Sequence, residues 1–162
     1  MSGLFSFPNP VNDVAARAVA TGVVVMALAA AVTGQLWLTI PLAYGFVARV
    51  ASGPRFSPLG LIATRTVAPR LAQYEKLLPG PPKRFAQAIG ALFSTSALVL
   101  WLVGASTPAR VVLAVLVVPA FLEAALGYCV GCKLFAFGMR IGLVPESLCV
   151  ECNNIWAATG RP

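Results

Sequence analysis

Val111–Lys133 reads VVLAVLVVPAFLEAALGYCVGCK, an apolar run whose one charge before its closing lysine is Glu123. About 20 apolar residues in a helix match the roughly 30 Å hydrocarbon core of a bilayer, so residues 111–133 are expected to cross a membrane. The same run ends on Cys129 and Cys132, two of the four cysteines in the chain. One stretch thus decides which solvent the fold is built for and carries the first chemically active side chains.

The composition of the 162 residues points the same way: 59% are apolar, 10% are charged and the mean hydropathy is +0.84, far from the averages of soluble domains. The formal net charge of +7 would suggest nucleic acid on a soluble chain. Here Arg55, Arg65, Arg70, Lys76, Lys83 and Arg84, against Glu75, place most of the excess between residues 52 and 84. Basic residues gathered in one loop between apolar runs set topology, and no nucleic-acid partner is expected. Histidine is absent, which removes the commonest general base and metal ligand. Any site has to be built from Cys, carboxylate, Arg, Lys, Tyr or backbone.

Residues 1–10 carry no basic residue, so no secretory signal is expected and the first helix stays in place. Asn9 is expected to cap that helix, with Pro10 in its first turn. Spans are expected at about 11–33, 36–50 and 85–104 besides 111–133, with turns at Thr33-Gly34-Gln35 and around Gly104–Pro108. The second span is short and contains Pro41. Between the two hairpins Pro54, Pro58, Pro69, Pro79, Pro81 and Pro82 forbid one long helix. Short pieces remain, in which Leu59, Ile62 and Leu71 are interleaved with Arg65, Arg70 and Lys76. Such pieces either lie among anionic headgroups or stay solvated. The expected fold is all-α: a bundle of four transmembrane helices over residues 1–138, followed by a Cys-containing tail over 139–162. The basic loop, both termini and all four thiols then face the cytosol.

Cys129 and Cys132, then Cys149 and Cys152, form C-x2-C, sixteen residues, C-x2-C. Four thiolates at this spacing could close a tetrahedral zinc site, structural because no ligand position stays open. Zinc is the one cofactor the spacing suggests. The same thiols could instead carry disulfide exchange or a persulfide, which requires a thiolate. Placed at the C-terminal end of a fourth helix, the first pair would meet the negative end of the dipole, opposed by Lys133 and Arg140. A break at Gly131 would relieve that penalty. Packing is the third possibility, because Gly127 and Gly131 form G-x-x-x-G, which lets a neighbouring backbone approach. Glu123, a carboxylate at membrane depth, needs a partner. Arg17 is the candidate by depth, with Asp13, one turn before it, as the competing partner of that arginine.

Four separated stretches carry a family likeness. Asn9-Pro10-Val11-Asn12 with Arg17, Gly53-Pro54-Arg55-Phe56-Ser57-Pro58, Pro82-Lys83-Arg84-Phe85-Ala86-Gln87, and the run from Leu126 to Lys133 together resemble the bacterial membrane family called domain of unknown function 4395, over about residues 8–138. The resemblance implies a membrane architecture in the bacterial cytoplasmic membrane and brings no established activity with it. Members are often found beside thioredoxin-like and rhodanese-like proteins, which implies sulfur handling and partners of those kinds.

The function expected from residues and resemblance together is a membrane thiol-redox or persulfide relay. Cys129 and Cys132 are its primary thiols, Lys133 supports them, and Cys149 and Cys152 form a second pair. The alternative is a non-catalytic scaffold subunit with a four-cysteine zinc site in its tail. Expected partners are the lipid bilayer, anionic headgroups at residues 52–84, a thioredoxin-like or rhodanese-like protein, and further subunits of an oligomer or larger membrane complex.

Overall fold

The computed structural model describes residues 9–74 and 76–145. Four long helices pack side by side: α1 (Asp13–Thr33), α2 (Leu36–Ser52), α5 (Gly80–Leu102) and α6 (Ser106–Leu126). Between α2 and α5 run two short helices, α3 (Pro58–Ile62) and α4 (Ala68–Arg70), joined by a π-helical turn over Ala63–Val67. A last helix, α7 (Val130–Arg140), follows α6. Each long helix touches two others, in the ring α1–α2–α5–α6. Three of them, α1, α5 and α6, are long and apolar enough to cross a membrane. Together with the composition they make this a membrane protein.

Helical spacing of small residues explains the close packing. Ala15, Val19, Val23, Ala27 and Ala30 are the buried residues along one face of α1, and Ala109, Leu113, Leu116 and Ala120 those of α6. Small side chains let backbones approach, which is how helices gain contact where lipid is as apolar as their own side chains. The outer faces are apolar too: Val25, Val32, Leu92, Val99, Val118 and Phe121 are exposed. A bilayer covers such a face at no hydrophobic cost; water would not.

The element boundaries depart from the sequence expectation at three places. First, α1 begins at Asp13, and its cap is Asn12, whose Oδ1 accepts the Ala15 N–H at 3.2 Å. Residues 11 and 12 are held extended by pairing of β1 (Val11–Asn12) with β2 (Leu77–Leu78), so the helix cannot start earlier. Asn9 instead accepts the N–H of Gly80, at the start of α5, at 2.8 Å. Second, α5 begins at Gly80 rather than residue 85, because Pro81 and Pro82 occupy the first turn, where a missing N–H costs nothing. Lys83 and Arg84 thereby join the bundle.

Third, the expected fourth span to residue 133 ends at Leu126. Gly127 takes the left-handed conformation, φ 66°, which glycine adopts without a Cβ penalty. Its N–H bonds to Glu123 O at 3.0 Å, and Tyr128 N–H bonds to Leu122 O at 3.2 Å, closing the helix. The prolines of the basic segment do limit it to short pieces, and those pieces pack on the bundle. Leu59 lies against Gly22 of α1, while Ser57, Gly60, Ala63 and Ala68 are buried.

Candidate functional site: a disulfide at the start of a helix

Because the chain turns at Gly127, the cysteines begin a helix instead of ending one. Cys129 is the N-cap of α7 and its Sγ accepts the N–H of Cys132 at 3.3 Å. The two are joined as a disulfide. Sulfur here meets the positive end of the helix dipole and an otherwise unpaired backbone donor, which favours a thiolate when the bond is opened. The dipole penalty expected from a C-terminal position is therefore replaced by its opposite. The glycine pair does not act as one helix contact either. Gly127 ends α6, and Gly131 seats α7 on α5, where any Cβ would come within 2.7 Å of the Ala86 Cα. Phe135 and Phe85 complete that seat with ring centroids 5.6 Å apart.

The two sulfurs are unequally covered. Cys129 is 8% exposed, whereas Cys132 is only half-buried. Lys133 lies with its Nζ 5.7 Å from the centre of the Tyr128 ring, so its charge sits over the residue preceding the pair. Cys149 and Cys152 lie outside the described residues, and among the described residues no group of metal-ligating side chains gathers.

The ion pair expected between Arg17 and Glu123 is replaced by two separate arrangements. Glu123 Oε1 accepts from Lys83 Nζ at 2.6 Å, and Asp13 Oδ1 stands 3.8 Å from the same nitrogen. Lys83 is only 3% exposed, so one buried cation serves two carboxylates from different helices. Arg17 turns to the backbone, its Nε donating to Ala124 O at 3.3 Å and its Nη2 to Ala125 O at 2.9 Å. These carbonyls belong to the last turn of α6, where no intrahelical donor remains for them. Arg17 thus stabilises the end of α6 just before the turn that leads to Cys129.

A further buried cation, Arg49 of α2, donates from Nε to Gln87 Oε1 and from Nη1 to Ser57 Oγ, both at 2.8 Å. Its guanidinium also lies 4.6 Å from the centre of the Phe46 ring. Lys83, Arg49 and Gln87 were not singled out as site residues from sequence. Gln87 fell within the expected span at 85–104, and the helix-start pattern Pro81-Pro82 was the signal that could have placed Lys83 on α5 as well. For Arg49, at the end of a short span, no sequence pattern announces the contact with Ser57.

Beside the disulfide is a cavity of about 430 Å³, bounded by α1, α5, α6 and α7, with Phe46 of α2 also in its wall. Cys129 and Glu123 belong to its wall, which is otherwise mainly hydrocarbon. All four sequence stretches that carry the family likeness meet at this end of the bundle, through Asn9 on Gly80, Arg49 on Ser57 and Gln87, Lys83 on Glu123, and Gly131 on Ala86.

Fold and site define a helical membrane protein with a helix-capping disulfide at one end of its bundle. The model of the family described as Domain of unknown function (DUF4395) matches residues 11–140, and the chain belongs to that family. No curated protein and no solved structure matches it.

Proposed function

We propose that the protein is a thiol–disulfide relay of the bacterial cytoplasmic membrane, exchanging electrons with a thioredoxin-like protein through Cys129 and Cys132. The observation that carries this reading is the position of the pair in the first turn of α7, with Cys129 as N-cap. A soluble thiolate attacks the better exposed sulfur, that of Cys132. Cys129 then leaves as a thiolate stabilised by the Cys132 N–H and the helix dipole, and a stabilised leaving thiolate speeds exchange. The partner's second thiol then attacks the partner's own sulfur in the mixed disulfide and releases Cys132 as a thiolate, so the partner leaves oxidised and the Cys129/Cys132 pair has gained two electrons.

In this reading α2, with its 17 residues, is the fourth span, within the range of about 17–25 that reaches across a bilayer. The basic segment lies at the cytosolic face. Arg65, Arg70 and Lys76 are exposed there beside Ile62, Leu71, Tyr74 and Leu77, a mixture suited to anionic headgroups. Disulfides that face the cytosol are mostly transient and catalytic, which favours a working pair over a structural one.

The test compares Cys129→Ala and Cys132→Ala, each reduced and mixed with a thioredoxin whose second active-site cysteine is replaced and whose first is held as a mixed disulfide with thionitrobenzoate, the group that the attacking thiolate displaces. The mixed disulfide is expected to accumulate on Cys132 in the Cys129→Ala protein and to be scarce in Cys132→Ala, as read by intact mass. Equal trapping in both, or zinc bound by the native chain and lost with each cysteine alike, would overturn the relay.

A further inference from the structure

The two sulfurs of the pair face different surroundings, and the buried one borders the 430 Å³ cavity. We propose that this cavity is the binding site of a lipid-soluble quinone that reoxidises the Cys129/Cys132 dithiol; the proposal rests on the relay reading above. Its volume falls within the range of about 300–1,000 Å³ typical of small-molecule sites. Three of the five helices that line it, α1, α5 and α6, are long and apolar enough to cross a membrane, which suits a lipid-soluble occupant.

The wall identifies the chemistry of the occupant. Ala16, Ile89, Phe93 and Pro119 supply flat and aliphatic hydrocarbon, and polar groups are confined to the end where Gln87, Glu123 and Cys129 lie. Gln87 has its Oε1 engaged by Arg49, which leaves its amide N–H donors for an acceptor in the cavity it lines. The hydrocarbon tail of a lipid has no acceptor to offer and no reaction with sulfur. A benzoquinone or naphthoquinone has an apolar ring, a lipid tail, carbonyl oxygens and a ring carbon open to thiolate attack. It is also a two-electron sink, which is what a relay fed from Cys132 requires on its far side.

The chemistry balances within that pair of reactants. The Cys129 thiolate attacks a quinone ring carbon and forms a C–S bond. The Cys132 thiolate then attacks Cys129 Sγ, forming the S–S bond and breaking the C–S bond, whose electron pair stays with the ring. The two quinone oxygens take up the two protons given up by the thiols. The dithiol is oxidised by two electrons and the quinone becomes a hydroquinone.

The experiment uses the full chain in lipid nanodiscs, reduced with a water-soluble dithiol that is then removed. Reoxidation is followed with a decyl-tailed benzoquinone or, separately, with water-soluble diamide. Ala16→Leu and Ile89→Trp narrow the cavity from α1 and from α5 without touching the pair. Both are expected to slow reoxidation by the quinone by about tenfold, with dithiol reduction and diamide oxidation unchanged, which also shows that the variants remain folded. If the quinone fails to reoxidise a native pair that dithiol and diamide interconvert freely, or if neither substitution slows it, the quinone proposal is wrong and the relay stands. If dithiol and diamide cannot interconvert the pair at all, the relay reading fails and takes this proposal with it.

Discussion

Lys83 is the side chain on which the charged end of the bundle depends. A lysine this buried is stable only because Glu123 and Asp13 face it, and removing one member of such a pair strands the other in a poorly solvated place. Lys83→Met is therefore expected to lower stability by about 3 kcal/mol. Combined with Glu123→Gln it should cost less than the sum, with a coupling of about 1 kcal/mol or more. Arg17→Met combined with Glu123→Gln should be additive, since Arg17 holds the carbonyls of Ala124 and Ala125 and not the carboxylate. Thermal unfolding in detergent measures both cycles; a coupled Arg17–Glu123 pair with an uncoupled Lys83 would contradict the geometry. Sequence alone established that Glu123 needs a partner, because hydrocarbon depth follows from counting residues. It could not establish which partner, because the two prolines that read as keeping Lys83 in a loop are also the residues that open a helix.

At the level of elements, the decisive event is the break between α6 and α7. An apolar run with no charge after Glu123 and no proline after Pro119 gives hydropathy nothing to mark a stop, so the span reads through to the cysteines. The stop comes from one glycine at positive φ, which in sequence also looks like half of a helix-contact motif. The long helices were otherwise legible, within a few residues at most boundaries, because an apolar run of that length favours one unbroken helix. The N-terminal cap was displaced from Asn9 to Asn12 by a two-residue strand pairing between segments far apart in the chain, information that no local pattern holds. The role of α7 as a separate, seated helix can be tested at Gly131. Gly131→Val drives a branched side chain into the Ala86 backbone, so α7 should lift from α5. After reduction, alkylation of Cys129 should then accelerate by about tenfold or more, toward the rate of an exposed thiol, while α1, α2, α5 and α6 keep their helix content by circular dichroism. An unchanged alkylation rate would mean that the seat does not control access to the pair.

For the whole molecule the question is which side of the membrane the disulfide faces, since this determines which partners can reach it. The turn after α1 and the turn before α6 lie at one end of the bundle, and Arg110 is the basic residue found there, close over Gly34. The opposite end holds Arg49, Lys83, Arg84 and the exposed Arg65, Arg70 and Lys76 together with Cys129 and Cys132. Basic residues resist translocation, so this charged end is expected in the cytosol. In a chain with its own four cysteines replaced by alanine, new cysteines at the exposed positions Gln35 and Ser106 should react with an impermeant maleimide added to intact cells. One at Tyr74, which is 66% exposed, should react only after permeabilisation. The opposite pattern would place the pair in an oxidising compartment, where a disulfide is the resting state and the relay would run toward forming bonds in exported proteins. With the expected pattern the pair meets a reducing solution on the side of Cys132 and membrane hydrocarbon on the side of Cys129. In the relay and quinone site proposed above, two electrons would then pass from a soluble thiol through Cys132 and Cys129 to a quinone held beside Cys129.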